Sequence, residues 1–177
     1  LSRLEYRGYD SAGIAVSDLR DGENRIEILK AKGRLQALKE MTDNGKAVSG
    51  TCGIGHTRWA THGEPSVANA HPHCSKDKRI VVVHNGIIEN YKELKEYLQK
   101  KGFVFQSETD TEVVAHLLDY YYKGNPLEAI ARALGRIRGS YALGILFKDQ
   151  PGKIYAVRKD SPLIIGRSEN GNFIASD

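Results

Sequence analysis

His56-Thr57-Arg58-Trp59-Ala60-Thr61-His62-Gly63, preceded by Thr51-Cys52-Gly53-Ile54-Gly55, is the stretch around which the chain is organised. The leading residues are small and read as a strand packed closely against other backbone. The eight that follow show neither the period of a core helix nor the alternation of a half-buried strand. Two histidines, an arginine, a tryptophan and two threonines crowd together and a glycine closes the run. It reads as a functional loop leaving a strand end, with its polar groups turned toward a pocket. Residues 6–13, 84–90 and 107–112 are expected to converge on it.

Composition bounds what surrounds this loop. A chain of 177 residues with 40% hydrophobic content suits one domain with a real core. The net charge of +4 is spread along the chain, which allows an anionic ligand but argues against a nucleic-acid surface. Cys52 and Cys74 have no CxxC spacing and form no disulfide framework, which points to a reducing, cytoplasmic setting. No apolar run reaches membrane-spanning length and no charged-then-apolar leader opens the chain, so no membrane partner is expected. Leu1-Ser2-Arg3-Leu4 looks like the tail of a helix already under way, and the chain stops as a strand finishes, so both ends are expected to be truncated.

Working outward, residues 1–6 fit a last helical turn, with Gly8 placed to take a left-handed cap. Residues 11–16 and 25–29 read as a hairpin around Asp21-Gly22. Leu35, Leu38 and Met41 mark a short helix. Residues 79–83 form a continuous apolar strand, covered on both faces, ending in a sharp turn at His84-Asn85-Gly86. Asn90 reads as the cap of a helix carrying Tyr91, Leu94 and Leu98 on one face. Residues 103–105 read as a short strand. Thr109 and Glu112 fit a capping box before a helix with Val113, Val114, Leu117, Leu118 and Tyr121 buried. Asn125-Pro126 opens another, with Leu127, Ile130, Leu134 and Ile137 inward. Residues 141–147, 153–157, 161–166 and 173–176 complete the strands. The sum is a layered α+β domain with helices outside.

Arg58 can make the bidentate, charge-assisted pair with a carboxylate or phosphate that lysine cannot copy. It can equally be a structural arginine bonding loop carbonyls. Trp59 can fill a core or cover a ligand. Asn85-Gly86, a side-chain amide beside an unobstructed backbone N–H, can hold the oxyanion of a tetrahedral intermediate, or be only a tight turn. Asp110 stands at a helix start, where its charge is favoured, and can face a ligand ammonium. His62, His71, His73 and Cys74 offer zinc-ligand types without zinc-finger spacing. Neither cysteine looks activated: Cys52 reads as a small core residue, Cys74 as part of a surface loop. The residues themselves lead to a pocket for a zwitterion with a carbonyl to be attacked.

Tyr6-Arg7-Gly8-Tyr9-Asp10-Ser11-Ala12-Gly13, the stretch from His56 through Gly63, Asn69-Ala70-His71-Pro72-His73, His84-Asn85-Gly86-Ile87-Ile88-Glu89-Asn90 and Ser107-Glu108-Thr109-Asp110-Thr111-Glu112 together resemble the class II glutamine amidotransferases. The resemblance spans essentially all of residues 1–177. Arg-Trp-Ala-Thr-His sets it apart from the purine-pathway branch and toward the branch that aminates fructose 6-phosphate.

The resemblance implies an N-terminal-nucleophile hydrolase fold: an αββα four-layer sandwich with two antiparallel sheets. It implies that Arg58 binds the α-carboxylate of L-glutamine and Asp110 its α-amino group. Thr61 and His62 then line the pocket, Trp59 rides on the loop that closes it, and Asn85 and Gly86 form the oxyanion hole. Arg7 matches a motif residue near the nucleophile, which in the family is an N-terminal cysteine whose own amine serves as base. Position 1 here is leucine. The expectation is therefore a partial domain lacking its first strand and most of its first helix upstream, and lacking its end and the sugar-isomerase domains downstream. Alone it would be inactive. The parent would be a homo-oligomer making glucosamine 6-phosphate and glutamate, with no cofactor and no metal. The other readings are a purine-pathway amidotransferase, a zinc-dependent hydrolase or a non-catalytic binding domain.

Overall fold

The computed structural model describes residues 1–177. Strand β1 (Ser11–Arg20) turns back at Asp21-Gly22, both at positive φ, into β2 (Glu23–Lys32), and pairs on its other edge with β3 (Cys52–Arg58). Helix α1 (Leu35–Met41) returns over this sheet, burying Leu35 and Leu38 against Ala12 and Ala31. A second antiparallel sheet contains β4 (His73–Cys74), β5 (Ile80–Ile88), β6 (Gly139–Phe147) and β7 (Tyr155–Lys159), in that order. Its outer face carries α2 (Tyr91–Lys100), α3 (Thr111–Tyr121) and α4 (Pro126–Leu134). No helix is long and apolar enough to cross a membrane.

The core lies in three seams that define four layers. The largest, 19 buried residues including Ile80, Leu98, Leu117 and Phe147, joins the second sheet to α2–α4. A thin seam of Ala15, Ile26, Ile54, Val81 and Leu146 joins the two sheets face to face. The third lies under α1. Most of the apolar burial is therefore on the helical side of the second sheet, while the inter-sheet space remains thinly filled, leaving room for a cleft. Backbone approach is closest where side chains vanish: a Cβ on Gly13 would clash with the carbonyl of His71.

Several local expectations are corrected. Gly8 is extended (φ −173°), not a left-handed cap; it is needed because a Cβ would lie 2.5 Å from the Arg58 carbonyl carbon. The loop after β3 begins at Trp59, since His56-Thr57-Arg58 pair with Gly13, Ala12 and Ser11. Asn85-Gly86 is no turn: β5 runs through it to Ile88, and the ladder to β6 overrides the turn propensity of the pair. Residues 103–105 form no strand. Phe103 and Phe105 pack edge-on against His116, and the next two amides, Gln106 and Ser107, are taken by the Glu112 carboxylate. Thr109 does not cap α3; Asp110 occupies that position. Asn90 precedes α2 but its side chain bonds Arg136 and Arg138 instead of capping. Cys74 is in β4, half-buried, not in a surface loop. Residues 164–175 form a separate hairpin, β8 (Ile164–Ser168) with β9 (Gly171–Ala175).

Helix α4 opens as the sequence indicates, with Pro126 at its first position and the Asn125 side chain accepting from the amides of Leu127 and Glu128. Its inward face, however, is Pro126, Ala129, Ile130 and Ala133. Leu127 is 69% exposed, one step off the stripe. Ile130→Ala should therefore cost about 2–4 kcal/mol in urea unfolding, whereas Leu127→Ala should stay within about 0.5 kcal/mol. Equal costs would contradict this orientation of the helix.

Candidate active site

Antiparallel pairing of β1 with β3 sets Ser11 opposite Arg58, so Asp10 lies beside the end of β3, its amide donating to the Arg58 carbonyl at 3.2 Å. The Asp10 carboxylate accepts from the Ala60 amide and from the Ser11 hydroxyl, and stands 3.6 Å from Nη1 of Arg58. Nη2 of Arg58 donates to the carbonyls of His62 and Gly63. Gly63 closes the turn at φ +76°, where a Cβ would meet the Asn69 side chain. The loop is thus wrapped around a guanidinium that is only 4% exposed, and Nη1 has no hydrogen-bond partner. Burying a cation with part of its donor set free costs stability unless an anion completes it.

Across the inter-sheet space, Asn85 accepts at Oδ1 from Nε2 of His56, 2.6 Å away on the facing strand β3. Gly86 has φ +128°, and a Cβ there would run into the Ser140 carbonyl. Asp110 is buried at the start of α3, where its Oδ2 accepts the Ile88 amide at 2.8 Å and ties that helix end to β5. Its Oδ1 has only a long 3.4 Å contact with the Thr111 hydroxyl.

A cleft of about 1110 Å³ opens between the sheets. It is lined by every site residue expected from the sequence: Arg7, Arg58, Trp59, Thr61, His62, Asn85, Gly86 and Asp110. They are not equally placed. Trp59 is 59% exposed on the loop, edge-on to Tyr9. Arg7 lies exposed at the rim, donating to the Ser176 carbonyl and hydroxyl. Cys52 and Cys74 do not line the cleft, and burial pushes both thiols up, away from the reactive thiolate.

The histidines weighed as zinc ligands do not converge. His71 and His73 direct their Nε2 atoms to Thr111 and Thr109, and no group of three or more His, Cys, Asp or Glu has the arrangement to hold a metal ion. Instead His71, His73 and His84 are buried and His56 half-buried; His56, His71 and His84 form part of the cleft wall, with the His56 and His71 rings 4.1 Å apart. Burial lowers all four, His56 to about 4 and His71 and His73 well below the ordinary imidazole range. They are neutral packing and hydrogen-bonding groups. Asp10, His56 and Thr111 received no role from the sequence; Asp10 stood in a quoted motif, but only strand pairing shows which loop it holds.

The family profile described as a glutamine amidotransferase domain matches residues 56–177. The chain belongs to the glutamine amidotransferase family. It is 59% identical over 177 residues to the glutamine–fructose-6-phosphate aminotransferase (isomerizing) of Clostridium acetobutylicum and 54% identical to that of Pyrococcus horikoshii. It spans 28% and 29% of those relatives' lengths. Among solved structures it resembles the glutamine phosphoribosylpyrophosphate amidotransferase of B. subtilis, complexed with ADP and GMP, with a TM-score of 0.83 at 28% identity. That match covers 99% of this chain and 37% of the other. The αββα layering is accordingly the N-terminal-nucleophile hydrolase fold of class II amidotransferases.

The buried histidines of this family member make stability acid-sensitive. With folded pKa values below that of the unfolded chain, the folded state binds fewer protons, so stability is full above about pH 6.5 and declines as pH falls toward 4. Unfolding at pH 5.5 should take up protons through these groups. The slope of unfolding free energy against pH, from urea titrations, measures it; a flat profile between pH 7 and 5 would contradict the buried neutral cluster.

Proposed function

We propose that the cleft binds L-glutamine and that the whole protein transfers its amide nitrogen to fructose 6-phosphate, giving glucosamine 6-phosphate and glutamate. The observation that carries this reading is the convergence of all eight expected residues on one cleft, around a buried arginine whose Nη1 makes no hydrogen bond and has Asp10 beside it at 3.6 Å. The α-carboxylate completes the donor set of Arg58, and the α-ammonium pairs with Asp110, whose Oδ1 is weakly engaged. Thr61 and His62 flank the zwitterion, and Trp59 on its exposed loop covers it. The preference for fructose 6-phosphate over a purine-pathway acceptor rests on the identities: 59% against 28%.

The amide carbon then lies where Asn85 Nδ2 and the Gly86 N–H can hold the oxygen as it turns from carbonyl to oxyanion. A thiolate adds to the carbon, the amide nitrogen takes a proton and leaves as ammonia, and water cleaves the resulting thioester to glutamate. Residues 1–177 supply the clamp and the oxyanion donors. We assign the sulfur to a cysteine outside them, with its own α-amine as base and Arg7 beside it, because neither Cys52 nor Cys74 reaches the cleft. The two free cysteines suit a reducing cytoplasm.

In the full-length protein, Arg58→Ala should raise the glutamine KM by roughly 30-fold or more, the expected loss of a charge-assisted pair. Asn85→Ala should lower kcat by about two to three powers of ten with the fold intact. An unchanged KM would remove Arg58 from the clamp; an unchanged kcat would favour a non-catalytic cleft. Ammonia release separates the last assignment: residues 1–177 alone should hydrolyse no glutamine, and an upstream segment starting with cysteine should restore turnover. Comparable rates with and without it would place the nucleophile at Cys52 or Cys74.

A further inference from the structure

We infer that His56 is a positioning residue for catalysis: its imidazole fixes the Asn85 side-chain amide so that both Nδ2 hydrogens face the cleft. This rests on Asn85 being an oxyanion donor, as proposed above. An amide side chain can turn over, presenting either its oxygen or its nitrogen to the reacting carbonyl, and only the nitrogen stabilises negative charge. Something must hold the oxygen at the back. His56 Nε2 lies 2.6 Å from Asn85 Oδ1, reaching from the opposite sheet, and Nδ2 has no partner within the chain. Since an amide oxygen only accepts, the proton of the neutral imidazole is on Nε2.

The ring has no freedom to give this bond up. His56 stacks on His71 at 4.1 Å with a 35° tilt, and His71 Nε2 is hydrogen-bonded to the Thr111 hydroxyl at 3.2 Å. Thr111 adjoins Asp110, its hydroxyl also 3.0 Å from Nδ1 of His84. A continuous path of contacts, half-buried at Asn85 and His56 and buried at His71, Thr111 and Asp110, therefore runs from the oxyanion donor to the residue assigned to the substrate ammonium. Nδ1 of His56 is buried without a partner, so the ring's only polar attachment is the one to Asn85. An imidazole kept in the core for packing alone would not need that single bond directed at a cleft residue.

The groups facing His56 are the neutral rings of His71 and His84, Asn85 and the guanidinium of Arg58. Burial, helped by the charge of Arg58, holds the imidazole down to about 4 against the opposing pull of the Asn85 hydrogen bond, so His56 stays neutral at pH 7 and above. Its contribution is geometric and independent of pH over that range.

The test is a set of variants in the full-length protein, assayed for glutamine hydrolysis at saturating and limiting glutamine. His56→Phe keeps the ring and removes the donor; it should lower kcat about 10- to 100-fold while KM stays within about threefold. His56→Gln, whose amide nitrogen reaches the place of Nε2, should keep most of the rate, and His56→Asn, too short to do so, should not. His56→Phe combined with Asn85→Ala should be no slower than Asn85→Ala alone, because both remove one function. A merely structural histidine would give additive losses, and it would give equal rates for the glutamine and asparagine variants even if His56→Phe failed to fold; either result overturns the inference. If Asn85→Ala itself loses no rate, the oxyanion reading fails and takes this inference with it. If Asn85→Ala loses rate while every His56 variant keeps it, only the inference falls.

Discussion

The site depends first on the burial of Arg58 beside Asp10. A guanidinium at 4% exposure needs acceptors, and two of them are the carbonyls of His62 and Gly63. Meeting that need forces the chain after β3 to fold back on itself, while Asp10 holds the same loop through the Ala60 amide. Trp59, Thr61 and His62 therefore take their places because the arginine has to be solvated by backbone. Nη1, 3.6 Å from the Asp10 carboxylate but without a hydrogen bond, is the part of that solvation the loop leaves incomplete. A substrate carboxylate can supply it, which links the cost of burying the charge to affinity for an anion.

The second constraint is the thin seam between the sheets. Five small or medium apolar residues join them, against 19 on the helical side of the second sheet. The space left open there becomes the cleft, and strands facing across it bring His56 to Asn85 although 29 residues separate them. The packing that leaves the cleft open also places the Asn85 amide and the His56 ring on different sheets. Relative movement of the sheets would break that hydrogen bond, so rigidity on the helical side matters for chemistry on the open side.

Much of this was legible in the sequence, for identifiable reasons. Arg58 and Asp110 stand in polar stretches at a strand end and a helix start, and Asn85 in a polar break inside a strand, where local pattern already departs from core periodicity. The layers were legible too, because α2 and α3 keep clean apolar stripes. What local pattern missed was settled by pairing across the chain. Asn85-Gly86 carries a turn signature but lies within β5, because nine register pairs with β6 outweigh a two-residue preference. Gly8 looked like a cap, whereas its small size serves an approach to Arg58 that no local rule contains. His71 and His73 looked like metal ligands because the sequence cannot show that Thr111 and Thr109 occupy their nitrogens. His56 was invisible as a partner of Asn85 for the same reason: the two meet only once the sheets are stacked.

The most direct measurement compares competitive inhibition of glutamine hydrolysis by three acids in the full-length protein: L-glutamate, glutarate and 4-aminobutyrate. Glutarate lacks the α-ammonium that Asp110 is assigned to hold, and 4-aminobutyrate lacks the α-carboxylate assigned to Arg58. If the cleft is a zwitterion clamp, each deletion should weaken inhibition by about 10- to 100-fold relative to glutamate, as expected for losing one charge-assisted contact. Inhibition by either analogue as tight as that by glutamate would contradict the clamp, and with it the reading of the buried arginine as a substrate anchor.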